Sequence, residues 1–236
     1  MTEALRGTQP DRTLVLRRWL ETDREPFARL NADPEVMAHF PGVLDRAASD
    51  AFADRIDAHF TKHGFGMWAI EVQNYEPFIG YVGLAQVGFD APFTSSLTPT
   101  VEIAWRLARS SWGHGYATEA ARVACCFAFE VLGLGEIVSF TVPENRRSRA
   151  VMERIGMTHD EHGDFDHPKL PEGHPLRRHV LYRLAAGAAK STRLDPSTAT
   201  RDRLGEARGR ARIHAQVQAR FDEFELHQLE TNRPGD

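Results

Sequence analysis

The chain has 236 residues, 42% of them apolar and 26% charged, with 29 Lys and Arg against 33 Asp and Glu for a net charge of −4 with histidine neutral. That is ordinary globular composition, long enough to bury a sizeable core as one large domain or one domain with an appendage, and it excludes a wholly disordered chain. The lack of an overall basic excess argues against a nucleic-acid partner, and no run reaches the roughly 18 apolar residues of a membrane span.

Residues 1–11 read as a loose leader without the apolar stretch of a secretory signal. A short strand is expected at 14–19, then a helix over 21–31 closed by Asp33-Pro34. Residues 45–62 form a second helix, with Phe52, Ile56, His59 and Phe60 on one face at 3.6-residue spacing. Two β-rich runs follow, 66–73 and 78–87, with NYEP between them as a hairpin turn. A loop with Pro92, Ser95, Ser96 and Pro99 leads to a strand at 101–107 whose residues alternate between two faces. The run Trp112-Gly113-His114-Gly115-Tyr116-Ala117 then opens into a helix over about 118–132. A strand over 136–142 ends at Pro143, a helix over 145–155 is stopped by Gly156, and two last strands lie near 157–161 and 179–184. The order β-α-α-β-β-β-α-β-α-β-β points to an α+β or mixed α/β domain, with a single central mixed sheet flanked by helices.

The domain is expected to occupy residues 1–188, with 189–236 a linker and C-terminal helical extension. Ile213, Val217, Phe221, Phe224 and Gln228 recur at helical spacing in an Arg-, Glu- and Ala-rich stretch, which reads as one amphipathic helix. It could pack on its own domain, join a homodimer, or stay a disordered tail. The two cysteines, Cys125 and Cys126, are helix neighbours badly placed to pair with each other, so a soluble, reduced, cytoplasmic protein is the simplest reading.

The informative stretch is 101–156. Gly113 and Gly115 alternate with larger residues where a strand feeds a helix. Without Cβ atoms the backbone can approach a ligand there, and the helix N-terminus aims its N–H groups and dipole at the same spot, which suits a pyrophosphate. The run is neither a dinucleotide nor a Walker fingerprint, because Thr118 holds the third glycine position and no Gly-Lys-Ser/Thr follows. A lone G-x-G before a helix is also ordinary loop geometry.

With VEIAWRL before it and PENRRSRAVMERIGM about 30 residues after it, WGHGYATEA resembles the GNAT superfamily of N-acetyltransferases, in particular the branch with the ribosomal-protein N-terminal acetyltransferases of the RimJ/RimL type. The resemblance covers about residues 12–186 and implies that fold. It further implies an acetyl-CoA-dependent transfer to a primary amine, either a protein N-terminus or a small molecule, through a ternary complex with no covalent enzyme intermediate. In that pattern Trp112 fills the Gln/Arg slot, Gly115 and Ala117 the two small positions, and N–H groups from Gly113 through His114, Gly115, Tyr116 and Ala117 to Thr118 hold the pyrophosphate. Asn145 matches the family asparagine on the pantetheine arm or an ordered water. Ser148 matches the position that protonates the departing thiolate; the tyrosine slot four residues on holds Met152, which cannot donate a proton.

An amine with a pKa near 8–10 must lose a proton before it attacks. Glu102, in the strand before the loop, is the candidate base, the alternative being a solvated or arginine-paired carboxylate. The oxyanion donor implied by the family is a backbone N–H of that strand, around Ala108. Arg109, Arg122, Arg146, Arg147 and Arg149 lie near the loop, and Arg147 or Arg149 is the expected contact to the 3′-phosphate. His159, His162, His167, His174 and His179 cluster with Asp160, Asp164 and Asp166 near the last strands. They fit no standard metal spacing, so no metal is expected; they read either as exposed loop residues or as a border of the acceptor site. Trp68, Tyr81 and Trp105 read as strand packing or as a substrate cage, and the cysteines as small buried thiols. The competing class is a catalytically degenerate member acting as an acyl-CoA sensor or dimeric scaffold.

Overall fold

The computed structural model describes residues 13–95 and 97–187. The amphipathic helix expected in the C-terminal extension, with the dimer role attached to it, lies outside the described residues.

The chain begins with β1 (Leu14–Arg17) and a 3-10 turn (Glu21–Asp23) that runs into α1 (Arg24–Ala32). Helix α2 (Arg46–His63) starts where Asp45 accepts the Ala48 N–H at 2.7 Å and stops at Gly64, whose φ of 75° is left-handed. Strands β2 (Met67–Val72) and β3 (Glu76–Gln86) follow. Their hairpin turn is centred on Asn74 at φ 61°, slightly earlier than NYEP suggests, so Pro77 lies inside β3. After β4 (Val101–Leu107) comes α3 (Tyr116–Cys126), which continues as a π-helical turn (Phe127–Val131) closed by the Leu132 N–H on the Phe127 carbonyl at 3.1 Å. Next are β5 (Glu136–Thr141), α4 (Arg146–Arg154), β6 (Thr158–His159), β7 (Phe165–Asp166) and β8 (Arg178–Ala185).

All eight strands form one open mixed sheet, ordered β1-β2-β3-β4-β5-β8-β6, with β7 also on β8. Only β4 and β5 are parallel, joined through α3. The sequence pattern shows seven strands; β7 escapes it because two residues carry no periodicity.

The two sheet faces hold different helices. On one, Phe27, Leu30, Ile56 and Phe60 of α1 and α2 pack with Met67, Ala69, Phe78 and Tyr81 of β2 and β3. Ala104 and Ala108 join that cluster, so by strand alternation Glu102 and Arg106 share its face. Trp68 touches both groups of helices, its ring 5.8 Å from Phe60 of α2 and 5.0 Å from Phe127 at the end of α3. The buried side of α3 is built from Tyr116, Ala120, Ala121, Ala124 and Cys125, mostly small side chains that let the helix sit close to the sheet. Among the described residues no helix is long and apolar enough to cross a membrane.

Candidate active site

Gly113 and Gly115 adopt left-handed φ values of 78° and 82°. A Cβ added at either would meet nothing within 4 Å, so the loop backbone borders open space. Gly115 serves as N-cap, which starts α3 at Tyr116 rather than at Thr118. The first intrahelical bond is made by the Glu119 N–H to the Gly115 carbonyl at 3.1 Å. The N–H groups of Gly115, Ala117 and Thr118 precede it and lie at the positive end of the helix dipole. Tyr116 turns its ring into the core and stacks on His114 at 5.4 Å, so only its backbone belongs to the loop. The loop is anchored by Trp112, whose indole N–H donates to the Leu107 carbonyl at 3.0 Å. The guanidinium of Arg147 lies 4.2 Å over the same indole. A left-handed glycine pair, open Cβ positions and a helix N-terminus fit a pyrophosphate, so the residues present fit coenzyme A.

Strands β4 and β5 pair at Glu102↔Val138 and, among the described residues, at no other position. They diverge beyond it, toward the Gly113–Gly115 loop. The Ala108 N–H donates to the Ile79 carbonyl at 2.8 Å, which removes Ala108 as the oxyanion donor expected from the sequence. By the alternation of an antiparallel ladder, residues 102, 104, 106 and 108 aim their backbone groups at β3, while Trp105 and Leu107 aim theirs toward β5, past the point where the strands part. The N–H of Trp105 or Leu107 is therefore the donor available to a ligand in the cleft.

Glu102 is half-buried and makes no hydrogen bond or ion pair among the described residues. Burial pushes its carboxyl up from 4.5 to about 7, and the Lys169 ammonium works against that rise. A group near neutrality with a free carboxylate is suited to accept a proton.

Across the cleft Asn145 caps α4. Its Oδ1 accepts the Ser148 N–H at 3.2 Å, and its Nδ2 donates to Thr141 Oγ1 at 2.9 Å. Ser148 is half-buried at the same helix start, and Met152, in the slot after it, is buried at 1% exposure. Of the two arginines expected at the 3′-phosphate, Arg149 is occupied by the Pro143 carbonyl and the Tyr182 hydroxyl, whereas Arg147 stands beside the loop on Trp112. Arg109 pairs with Glu35 at 2.6 Å, and Arg122 reaches the Arg154 carbonyl at 3.3 Å.

The histidine-rich loop divides. His159 pairs with Asp164 at 2.8 Å and stacks on Tyr182. His167 and His179 join Phe89, Phe93, Phe140 and Phe165 in one ring cluster, with centroid separations from 4.5 to 6.4 Å. Burial holds both of these histidines below their usual pKa. Phe140 shares the face of Val138 and so of Glu102, and Lys169 lies 5.7 Å over Phe89, which places this cluster beside Glu102. Among the described residues no three His, Cys, Asp or Glu side chains converge as a metal group. Cys125 is buried, its thiol pushed up to about 12 by burial, while Cys126 is exposed, contrary to the expected pair of buried thiols. Tyr81 is core packing and Trp68 packs on Phe127.

Sequence reasoning missed Arg106, Asn31, Phe40 and His39. Arg106 was visible as the second charged residue on the Glu102 face of an otherwise apolar strand. The α1–α2 segment that carries His39 and Phe40 has no motif. Burial lowers the His39 pKa, Glu144 raising and Arg147 lowering it in turn, so this segment reaches the β5–α4 turn.

The family model for the acetyltransferase (GNAT) domain matches residues 13–158. A curated relative, FsC-acetyl coenzyme A-N(2)-transacetylase of Aspergillus fumigatus, is 35% identical over 141 residues, 58% of this chain and 59% of its own length. The chain thus spans less than two thirds of that relative. The solved acetyltransferase of Agrobacterium tumefaciens is 30% identical, with a TM-score of 0.57 over 78% of this chain and 99% of that one. Spermidine N-acetyltransferase of Vibrio cholerae, solved with CoA and spermine, superposes with a TM-score of 0.58 over 75% of this chain and 98% of its own; at 17% identity it shows the fold alone.

Proposed function

The chain belongs to the GNAT acetyltransferase family, and from that premise we propose that it is an acetyl-CoA-dependent N-acetyltransferase that passes the acetyl group directly to a primary amine. The observation that carries this reading is the pair of left-handed glycines, Gly113 and Gly115, with open space at both Cβ positions, at the start of α3 beside the divergence of β4 and β5.

Bound acetyl-CoA supplies an activated acyl carbon and a thiolate leaving group. The N–H groups of Gly115, Ala117 and Thr118 hold the pyrophosphate, with Arg147 beside them on Trp112. Glu102 accepts the proton that the amine must lose. The N–H of Leu107 or Trp105 donates to the charge that develops on the acyl oxygen. Ser148, at the start of α4, relays a proton from solvent water to the thiolate, giving up its hydroxyl proton and regaining one from the water. The name of one structural neighbour, a spermidine N-acetyltransferase, supplies a small-molecule acceptor, and the resemblance to the RimJ/RimL branch supplies a protein N-terminus; a primary amine is common to both.

The test is calorimetry of acetyl-CoA with the wild-type chain, followed by thiol release with amino acids, amides, diamines, spermidine and peptides with free N-termini. Micromolar binding and amine-dependent release support the reading. No acetyl-CoA binding overturns it.

A further inference from the structure

Among the described residues the fold encloses two arginines, Arg17 and Arg106, each 7% exposed. Arg17 is satisfied on every side: Asp23 takes it bidentately at 2.6 and 2.8 Å, Glu71 at 2.9 Å and the Pro77 carbonyl at 2.6 Å. Arg106 is not. Its Nη1 donates to Asn31 Oδ1 at 2.5 Å, and Asn31 is fixed in turn by donating to Ser49 Oγ at 2.9 Å. Its Nε has no hydrogen-bond partner, and no carboxylate lies within ion-pair distance among the described residues. The Phe40 ring lies 4.0 Å from the guanidinium carbon, with Phe52 and Tyr81 each at 5.6 Å. Cation–π attraction returns part of what the charge loses on leaving water, but one amide oxygen is a weak counterpart for an enclosed cation.

The atoms left over have a definite shape. With Nη1 committed to Asn31, the remaining edge of the guanidinium is Nε and Nη2, two parallel donors that match the two oxygens of a carboxylate. Tyr81 stands directly opposite on β3, and its hydroxyl makes no hydrogen bond among the described residues. Arg106 shares the sheet face of Glu102, four residues along the strand and so about 13 Å away at ~3.3 Å per residue. The ring nearest the guanidinium, Phe40, belongs to the segment between α1 and α2.

We propose that the Nε–Nη2 edge of Arg106, with the Tyr81 hydroxyl beside it, binds a carboxylate carried by the acceptor, so that the acceptor is an amino acid-type amine and not a polyamine. The assignment rests on the transferase reading above and deepens it. Along this face Glu102 takes the amine end and Arg106 the acid end. A polyamine would bring further positive charge toward Arg106 and Lys169.

The test is a thiol-release assay at saturating acetyl-CoA with α- and ω-amino acids, each beside its own amide and the diamine of equal length. Wild type is compared with Arg106→Met and Arg106→Lys, and acetyl-CoA binding of all three is followed by calorimetry. The expected result is that at least one acid exceeds its amide and its diamine in kcat/KM by about tenfold or more, through KM. Arg106→Met removes that difference while acetyl-CoA still binds. Arg106→Lys, which keeps the charge and loses the fork, retains part of it and decides the matter if the Met variant does not fold. Acids no better than their amides, acids not accepted at all, or a preference that survives in the variants overturns the assignment. A wild-type chain that does not bind acetyl-CoA overturns the transferase reading itself, which the calorimetry reports separately.

Discussion

Glu102 of β4 faces Val138 of β5 at the one position where, among the described residues, the two parallel strands pair, so the proposed base stands where the cleft opens. One residue therefore ends the ladder and begins the site. The backbone beyond it is left for a ligand, and the side chain points to the α1–α2 face, from which an acceptor would approach.

Its titration gives two opposite pH dependences. The folded carboxyl is raised to about 7 from 4.5, so between those values the native state binds a proton that the unfolded chain has lost. Stability is therefore highest below about 4.5 in this contribution, falls as pH rises toward about 7, and is level above it. Activity moves the other way, because only the ionised base accepts a proton. The rate is expected to climb with pH through about 7. Glu102→Gln should lower kcat by about 10²–10⁴ and flatten that limb. The same variant should lose the decline of Tm across the interval. Lys169→Met, which removes the opposing ammonium, should move the rate limb to higher pH. A Glu102→Gln variant that keeps the wild-type rate profile removes Glu102 from the chemistry.

Gly115 separates strain from obstruction. At φ 82° an L-residue pays about 1–2 kcal/mol, while a Cβ there meets no atom within 4 Å. Gly115→Ala should thus fold with a Tm lower by a few degrees and bind acetyl-CoA more weakly. Gly115→Glu carries the same backbone strain plus a carboxylate where the pyrophosphate belongs. It should fold like the Ala variant by circular dichroism and show no binding by calorimetry. Equal affinity in the two variants would remove the phosphate from this loop.

Trp112 joins three parts of the site: its N–H holds the end of β4, its backbone enters the loop, and its ring carries Arg147 of α4. Trp112→Phe keeps a ring and loses the bond to the Leu107 carbonyl, at a cost of about 1 kcal/mol in stability. Trp112→Ala also frees Arg147. Acetyl-CoA affinities of Trp112→Ala, Arg147→Ala and the double variant should be non-additive by about 0.5–1 kcal/mol, the scale of a cation–π pair near solvent. Strict additivity would mean that the stack does not position Arg147.

How much of this was legible in the sequence follows from the range of each signal. The β4–loop–α3 unit is local: alternation in 101–107, two glycines and a helical period announce it, and its boundaries shift by only two residues because Gly115 and not Ala117 ends the loop. Asn145 as a helix start is local in the same way. The N–H expected to serve as oxyanion donor, around Ala108, is spent on the Ile79 carbonyl, which only the register with β3 reveals. Arg106 with Asn31 and Phe40 depends on contacts between β4 and the α1–α2 region, 75 residues apart for the Asn31 bond, and no short pattern records them.

The start of α4 allows capping and catalysis to be told apart. Asn145 Oδ1 accepts the Ser148 N–H and its Nδ2 reaches Thr141, so both ends of the amide hold the β5–α4 turn. Asn145→Ala should cost about 1 kcal/mol or somewhat more, the usual value of a lost cap. Asn145→Asp keeps the acceptor and adds a charge that the helix N-terminus favours, so most of that loss should return. Ser148 contributes a backbone N–H to the cap and a hydroxyl that the cap does not use. Ser148→Ala should therefore leave the unfolding free energy within about 0.5 kcal/mol of wild type. If the hydroxyl protonates the departing thiolate, kcat should fall by about 10²-fold with KM for the acceptor nearly constant. An acetyl thioester of a more acidic thiol needs less help to leave and should restore much of the rate to Ser148→Ala while changing wild type little. A loss that is the same for both donors would assign Ser148 to the helix cap alone, and the thiolate would then take its proton from water.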